Sequence, residues 1–349
     1  MPKRSGPRRK RSLNAPKQKC KKTKNKRAFQ PCILRETPMK KVRVDDVISC
    51  PKPVSSRPLV QLFYRPNSES DTLWQMLKPN SKYRKDFMLR HPSILPGMRT
   101  VLLDWLIEVC EAYTLHRQTF SLAQDYFDRF MLTQNHVEKH LLQLIGVTCL
   151  LIASKIEEAR PLKVAQMVDV TADSYSEEEI VEMELRILKA LEWKMWSETS
   201  LSWLNAYFQL ASVSAGADLL VPQFSPDVYL QMTRLLDLCV LEIKSLDYQR
   251  HVLAGSVMCH FIDSESVESV SSLPFQCFKS CVKWMTPYAE TVHWFGRATQ
   301  RDFAGVKTED KYNIQTHTDY MSMLFYTYDK RLGTGFPRLP GYTELQDTQ

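Results

Sequence analysis

Met98-Arg-Thr-Val-Leu-Leu-Asp-Trp-Leu-Ile-Glu-Val109, continued to Tyr113, is the stretch on which the fold turns. On a helical wheel its apolar side chains cover roughly 240°, whereas a helix lying on a protein surface needs a stripe little wider than ~100°. Only Arg99 interrupts that arc, and Thr100, Asp104, Glu108 and Glu111 share the polar side. Either this helix is central to its domain, or one flank of the arc faces solvent. Met98, Val101 and Trp105 lie on the flank beside Glu108, which would put an acid at the edge of an apolar groove. Such a surface suits a short peptide with one basic and one or two apolar anchors.

Working outward, Pro92, Pro96 and Gly97 form a turn that releases the chain into this helix. An amphipathic run at about Ser70–Leu89 precedes it, and a period near 3.6 predicts further helices at about Gln118–Leu132, Lys139–Ile156, Leu162–Val170 and Ser176–Trp193. Ser176 followed by Glu179 is a capping box. A second set is predicted near Ser197–Ala211, Pro226–Ser245, Gln249–Asp263, Pro274–Trp294 and Asp310–Tyr326, with Ser225 as N-cap before Pro226. The chain reads as all-α, two tandem groups of about five helices each behind an N-terminal helix. Only 10 glycines in 349 residues argue against a sheet-rich fold with many tight turns.

The formal charge of +8 is misleading as a whole-chain figure. Residues 1–30 hold 13 of the 47 Lys and Arg and no acid, which leaves 34 bases against 39 acids, or −5, for the rest. A basic tail on a mildly acidic body weakens any reading as a nucleic-acid binder. The clusters Lys3-Arg4, Arg8-Arg9-Lys10-Arg11 and Lys17 to Arg27 suit a nuclear import signal. Six prolines between 31 and 66 make that stretch an extended linker. The expected organisation is a disordered basic and Pro-rich region over 1–68, helical bodies over 69–196 and 197–330, and a disordered tail over 331–349. No run of 18 apolar residues and no secretory signal is read in the sequence, so an intracellular chain without a membrane partner is expected. Nine cysteines in no repeated spacing read as small core residues.

Catalytic motifs are missing: there is no GxGxxG, GxxxxGK[ST], GxSxG or HExxH. His136-Val-Glu-Lys-His140 and the pair Cys277, Cys281 lack the spacing of a zinc site. No cofactor and no metal are expected. Glu184 is harder to dismiss, because it falls on the apolar seam Val181, Glu184, Leu188, Leu191. A carboxylate there is costly unless paired, and Lys155, ending a very apolar helix, is a candidate partner, either in an internal salt bridge or at an interface.

The run Met98 to Val109 resembles the first helix of the cyclin box. It is followed in order by Asp125-Tyr-Phe-Asp-Arg129, Leu142-Gln-Leu144, Ala153-Ser-Lys-Ile-Glu-Glu158 and Met183-Glu184. Glu108-Val-Cys-Glu111, Thr114-Leu-His-Arg117, Phe130-Met-Leu-Thr-Gln134, Leu235-Leu-Asp-Leu-Cys239 and Asn313-Ile-Gln-Thr-His317 resemble phrases of the cyclin E subfamily, over about Glu69 to Tyr326. The resemblance implies two cyclin folds and a non-catalytic activator that forms a heterodimer with a cyclin-dependent kinase at the G1/S transition. By similarity, Lys155, Ile156, Glu184, Leu188 and Trp193 would contact the kinase. Met98, Val101, Leu102, Trp105, Glu108, Leu142 and Gln143 would form the docking patch for Arg-x-Leu (RxL) motifs of substrates and of Cip/Kip-type inhibitors.

The same resemblance implies turnover through a ubiquitin ligase, with Thr37 in Leu34-Arg-Glu-Thr-Pro38 as a candidate phosphorylation site. Lys40 and Lys41 follow where an acidic or phosphorylated group is usual, and the tail lacks the subfamily's Leu-Thr-Pro-Pro element. Ala159-Arg-Pro-Leu162 replaces a Tyr-Pro-Pro type turn, so local kinase contacts are expected to differ. Ser202-Trp-Leu-Asn205 resembles the start of a centrosome-targeting segment, although its apolar residues also suit a core. A nucleus-localised protein is expected, with the centrosome as a second site. The competing reading is a cyclin-fold nucleic-acid-binding scaffold of the general transcription factor type, which would need basic faces on the −5 body.

Overall fold

A computed structural model describes residues 82–214, 226–308 and 310–332, all in one compact unit. It contains twelve α-helices and, among the described residues, no β-strand. The first group comprises α1 (Lys82–Arg90), α2 (Pro96–Ala112), α3 (Arg117–Thr133), α4 (Leu142–Glu157), α5 (Val164–Val170) and α6 (Glu177–Ala190). The second comprises α7 (Ser200–Ser214), α8 (Pro226–Leu241), α9 (Arg250–Met258), α10 (Ser264–Ser271), α11 (Gln276–Trp294) and α12 (Tyr320–Leu332). Within the first group α3 packs along α4, with α2 and α6 against α4; within the second, α9 packs between α7 and α11.

Several expectations need correction. The first half of the Ser70–Leu89 helix, and Ser225, lie outside the described residues. The helix expected to start at Asp310 begins at Tyr320, because Lys311–Asn313 is a 3₁₀ turn followed by extended chain. Ser264-Glu-Ser-Val-Glu-Ser-Val-Ser271 forms a helix that periodicity does not reveal. Only Val267 and Val270 are buried, and Asp263 starts the helix by accepting a bond from the Ser266 N–H at 2.8 Å. Among the described residues one helical run, Lys139–Glu157, is long and apolar enough by composition to cross a membrane, although it holds no 18 consecutive apolar residues. It is 67% buried inside the body, so protein replaces lipid around it. Cys110, Cys149, Cys239 and Cys281 are buried, and burial pushes their thiols up, as befits small core side chains.

The wide apolar arc of α2 is explained by its position between both groups. Leu102, Leu103, Leu106 and Ile107 are fully buried. Arg99, which reads as an interruption of the arc, is also fully buried. Its Nε and Nη2 donate to the two carboxylate oxygens of Asp128 at 2.7 Å each, and its Nη1 donates to the carbonyls of Val240 and Leu241 at 2.9 and 3.3 Å. Thr100 Oγ1 donates to the Leu241 carbonyl at 3.0 Å. The guanidinium fork therefore joins α2 and α3 to the end of α8.

A second tie is the stretch 311–317. Ile314 bridges His116 in antiparallel fashion, and Gln315 N–H donates to the Leu115 carbonyl at 2.8 Å. His317 Nε2 pairs with Asp104 at 3.0 Å, and Glu111 accepts from the His317 N–H at 2.7 Å. Next to it, His116 Nδ1 pairs with Glu158 at 2.7 Å. Donating its Nδ1–H to the Glu158 carboxylate raises the His116 pKa. Burial lowers that of His317, but Asp104 and Glu108 outweigh it and the net shift is upward. Raised histidine pKa values mean stabilisation that is complete below about pH 6.5 and is lost as pH rises through the folded values. Urea unfolding should therefore show wild type losing more stability between pH 6.5 and 8 than a His116→Gln/His317→Gln chain; equal losses would remove both pairs from the pH dependence.

Close approach sets one glycine. A Cβ on Gly255 of α9 would lie 2.4 Å from Cε1 of the Phe278 ring on α11. Gly255→Ala should destabilise by about 1–3 kcal/mol in chemical denaturation, against the gain of roughly 0.5–1 kcal/mol that alanine brings inside an unconstrained helix.

Candidate functional site

Two surfaces of the first group collect the residues singled out in the sequence. The first is built where α4 ends beside α6. Ser176 and Glu179 form the expected reciprocal cap, at 3.2 and 2.9 Å, which fixes the start of α6. Its buried line is Ile180, Met183 and Ile187, one position away from the seam read in the sequence. Of that seam, Leu191 is buried, Leu188 half-buried and Val181 half-exposed. Glu184 thus lies at the edge of the core stripe, its side chain 15% exposed, and accepts from Lys155 Nζ at 2.6 Å on Oε1. Its Oε2 makes no hydrogen bond among the described residues.

On the same helices and the connection that follows, several apolar side chains reach the surface. Ile156 and Leu188 are half-buried, while Val181, Leu185, Trp193 and Trp196 are exposed, Trp196 at 91%. Leu185 and Trp196 were not singled out in the sequence. Leu185 could have been found as the residue one turn beyond Val181, whereas nothing local marks Trp196. The two tryptophans stand on a pinned connection: Tyr126 Oη donates to the Met195 carbonyl at 2.7 Å and Arg129 Nη2 to that of Lys194 at 2.8 Å. Glu192 and Trp193 adopt φ of 54° and 58°, a left-handed pair that non-glycine residues take at a cost. The Trp193 N–H closes on the Leu188 carbonyl at 2.9 Å, and the indole is left 64% exposed.

Of the two acids that end the Ala153 to Glu158 phrase, one is structural. Glu158 accepts from His116 N–H at 2.8 Å and from Thr119 Oγ1 at 2.5 Å, besides its pairing with the His116 ring. Burial would raise its pKa, but these bonds hold it below the usual carboxylate range. Glu157 is exposed at the helix end, with its carboxyl raised by desolvation. In the departing turn Ala159-Arg-Pro-Leu162, Leu162 is buried and its N–H donates to Ser154 Oγ at 3.2 Å.

The second surface lies along α2. Met98, Trp105, Glu108 and Gln143 are half-buried and Val101 is 38% exposed. Leu102 and Leu142, expected in the same patch, are buried at 0% and 3% exposure and form its floor. The reason is close packing: a Cβ on Gly146 of α4 would come within 2.8 Å of Leu102 Cδ1, so the leucine fills the space the glycine leaves. Glu108 makes no hydrogen bond or ion pair among the described residues, which leaves an unpaired acid beside Trp105 and Val101. Both readings of α2 hold in part, since the helix is central and one narrow flank stays open.

Between the groups, α3, α7 and α9 border an open pocket of about 320 Å³ lined by Asp125, Asp128, Trp203, Tyr248, Arg250 and His251 among others. Asp125 pairs with Arg129 and Arg250, and Asp128 with Arg99, so its acids serve the junction. In Ser202-Trp-Leu-Asn205, Leu204 is fully buried, Trp203 is half-buried against Tyr207 and His251, and Asn205 accepts from Tyr229 Oη at 2.9 Å. Lys3, Arg4, Arg8, Arg9, Lys10, Arg11 and Thr37 lie outside the described residues.

An all-α body of two helical groups, with a central helix carrying the Met98–Val109 run, is the architecture of tandem cyclin boxes. A family model described as "Cyclin, N-terminal domain" matches residues 71–196. The G1/S-specific cyclin-E1 of Gallus gallus is 46% identical over 257 residues, covering 73% of this chain and 63% of that protein. That of Mus musculus is 41% identical over 312 residues, covering 86% of this chain and 75% of the relative. Among solved structures, a viral cyclin from herpesvirus saimiri matches with a TM-score of 0.48 and 19% identity, covering 61% of this chain and 97% of that one. The chain belongs to the cyclin family, and its relatives place it with the G1/S-specific cyclins of type E.

Proposed function

We propose that the chain binds and activates a cyclin-dependent serine/threonine kinase at the G1/S transition and is not itself catalytic. The observation that carries this reading is the Lys155–Glu184 pair, whose carboxylate keeps one oxygen without a hydrogen bond among the described residues, on a helix that also exposes Val181 and Leu185. A kinase needs its catalytic Lys–Glu pair held in place, and a rigid helical surface can press the kinase's regulatory helix inward and release its activation loop. Ile156, Leu188 and Trp193 supply the apolar contact and Glu184 accepts from the partner. Co-purification with a cyclin-dependent kinase, followed by a phosphorylation assay, tests this. A purified complex without gain in kinase activity would overturn it.

The flank of α2 is proposed as the docking patch for RxL-type substrates and Cip/Kip-type inhibitors, Met98, Val101 and Trp105 receiving the leucine and Glu108 the arginine. Trp105→Ala should raise KM for an RxL-containing substrate about 30-fold, the loss of roughly 2 kcal/mol typical of a tryptophan anchor. It should leave a simple histone-type substrate unchanged. Loss of both activities would mean that Trp105 supports the fold instead of the patch. Nuclear import through the 1–30 clusters, centrosome targeting through Ser202 to Asn205, and ubiquitin-dependent turnover with Thr37 as trigger complete the proposal. The nucleic-acid scaffold is not favoured, because the −5 charge of residues 31–349 opposes phosphate binding.

A further inference from the structure

The docking flank of α2 raises the question of what covers it before a substrate arrives, and the chain itself carries candidates. Arg-x-Leu occurs five times in the sequence. Three copies belong to the folded body, at 160–162, 186–188 and 234–236, where Leu162 and Leu236 are buried and Leu188 is half-buried. The other two copies, Arg11-Ser-Leu13 and Arg57-Pro-Leu59, lie outside the described residues.

We propose that Arg57-Pro58-Leu59 docks intramolecularly on the Met98, Val101, Trp105 flank with Arg57 against Glu108, so that the chain masks its own substrate-docking patch. This rests on the docking reading of that flank. Complementarity favours this copy. Val60 and Leu62 follow Leu59 and add apolar anchors, where Asn14 and Ala15 follow Leu13; neither copy has an acid beside it to oppose Glu108. Reach is sufficient as well. From Lys82 to Met98 the chain spans one short helix and eight further residues, so the two are at most about 40 Å apart. Residues 59–82, extended, span about 76 Å, and with 70–82 helical they still span about 54 Å. The copy at 11–13 is separated from the body by some forty-five more residues, and its closure costs correspondingly more. A tether that can span its sites gives an effective concentration of order millimolar, enough to compete with a substrate of ordinary docking affinity.

The test is direct binding to full-length chains. A fluorescein-labelled peptide covering residues 53–63 is titrated by anisotropy with wild type, with Arg57→Ala/Leu59→Ala, and with that double variant carrying Trp105→Ala. Self-masking predicts about tenfold tighter peptide binding by the double variant than by wild type, because masking raises the apparent Kd to the intrinsic Kd divided by the open fraction. It also predicts loss of that binding when Trp105 is removed. Equal affinities of wild type and double variant overturn the inference, as does tightening by Arg11→Ala/Leu13→Ala in its place. Sedimentation velocity separates the intramolecular case from docking between copies; a mass that rises with concentration in wild type alone overturns the former. If an unrelated RxL peptide binds the Trp105→Ala chain undiminished, the docking reading itself falls, and the two failures remain distinct.

Discussion

Glu184→Ala is expected to abolish kinase activation and to weaken kinase binding by about 30- to 1000-fold, the 2–4 kcal/mol cost of deleting one member of a desolvated, hydrogen-bonded charge set. In the free chain Lys155 occupies one carboxylate oxygen and already holds the group in place. A donor from the kinase then meets an acceptor that needs little ordering. The alanine removes that acceptor and also leaves Lys155 without its partner. Lys155→Ala should act in the same direction by leaving Glu184 uncompensated. Because the buried line of α6 is Ile180, Met183 and Ile187, thermal unfolding of Glu184→Ala should change by less than about 1 kcal/mol. Calorimetric binding and a kinase assay read the effect, with circular dichroism and Glu184→Gln excluding a loss of fold. Normal binding and activation by the alanine chain would remove Glu184 from the interface.

Arg99→Ala should destabilise the whole body by about 3–5 kcal/mol, the cost of stranding a buried charge. Asp128 would keep only its contact with Gln124 at 2.5 Å, and the carbonyls of Val240 and Leu241 would lose their donor. Arg99→Lys should recover only part of the loss, since an ammonium cannot reproduce a fork that spans two oxygens of one carboxylate and a carbonyl pair. Urea unfolding followed by tryptophan fluorescence is the measurement. The neighbouring cavity is lined by Asp128 and Val240, so a loss below 1 kcal/mol would mean that water entering there replaces the guanidinium.

Much of this architecture is legible in the residues, and the failures have physical causes. The width of the α2 arc correctly signals a helix covered on more than one side. Arg99 and Thr100 are misjudged because a wheel scores them as polar, whereas what covers them is a set of backbone carbonyls from residues more than 140 positions away. The capping box of α6 is readable because both partners are local. Its buried line is displaced by one position because Glu184 and Val181 border the stripe without joining it. Ser264–Ser271 escapes because a helix with two buried valines carries too little periodicity. The docking flank is legible in composition only: separating Val101 and Trp105 from Leu102 and Leu142 requires knowing that Gly146 lets α4 come close.

The ties at Arg99 and at 311–317 also impose an order in time. A ribosome adding about 5–20 residues per second emits α2 and α3 roughly 10–40 s before residue 317. Through that interval the guanidinium has no α8 carbonyls to meet, and His116 and Asp104 lack the extended segment that ends at His317. The first half is made before the groups that cover one side of its central helix, so ribosome-bound chains stopped short of residue 317 are expected to bind chaperones more than released full-length chains do.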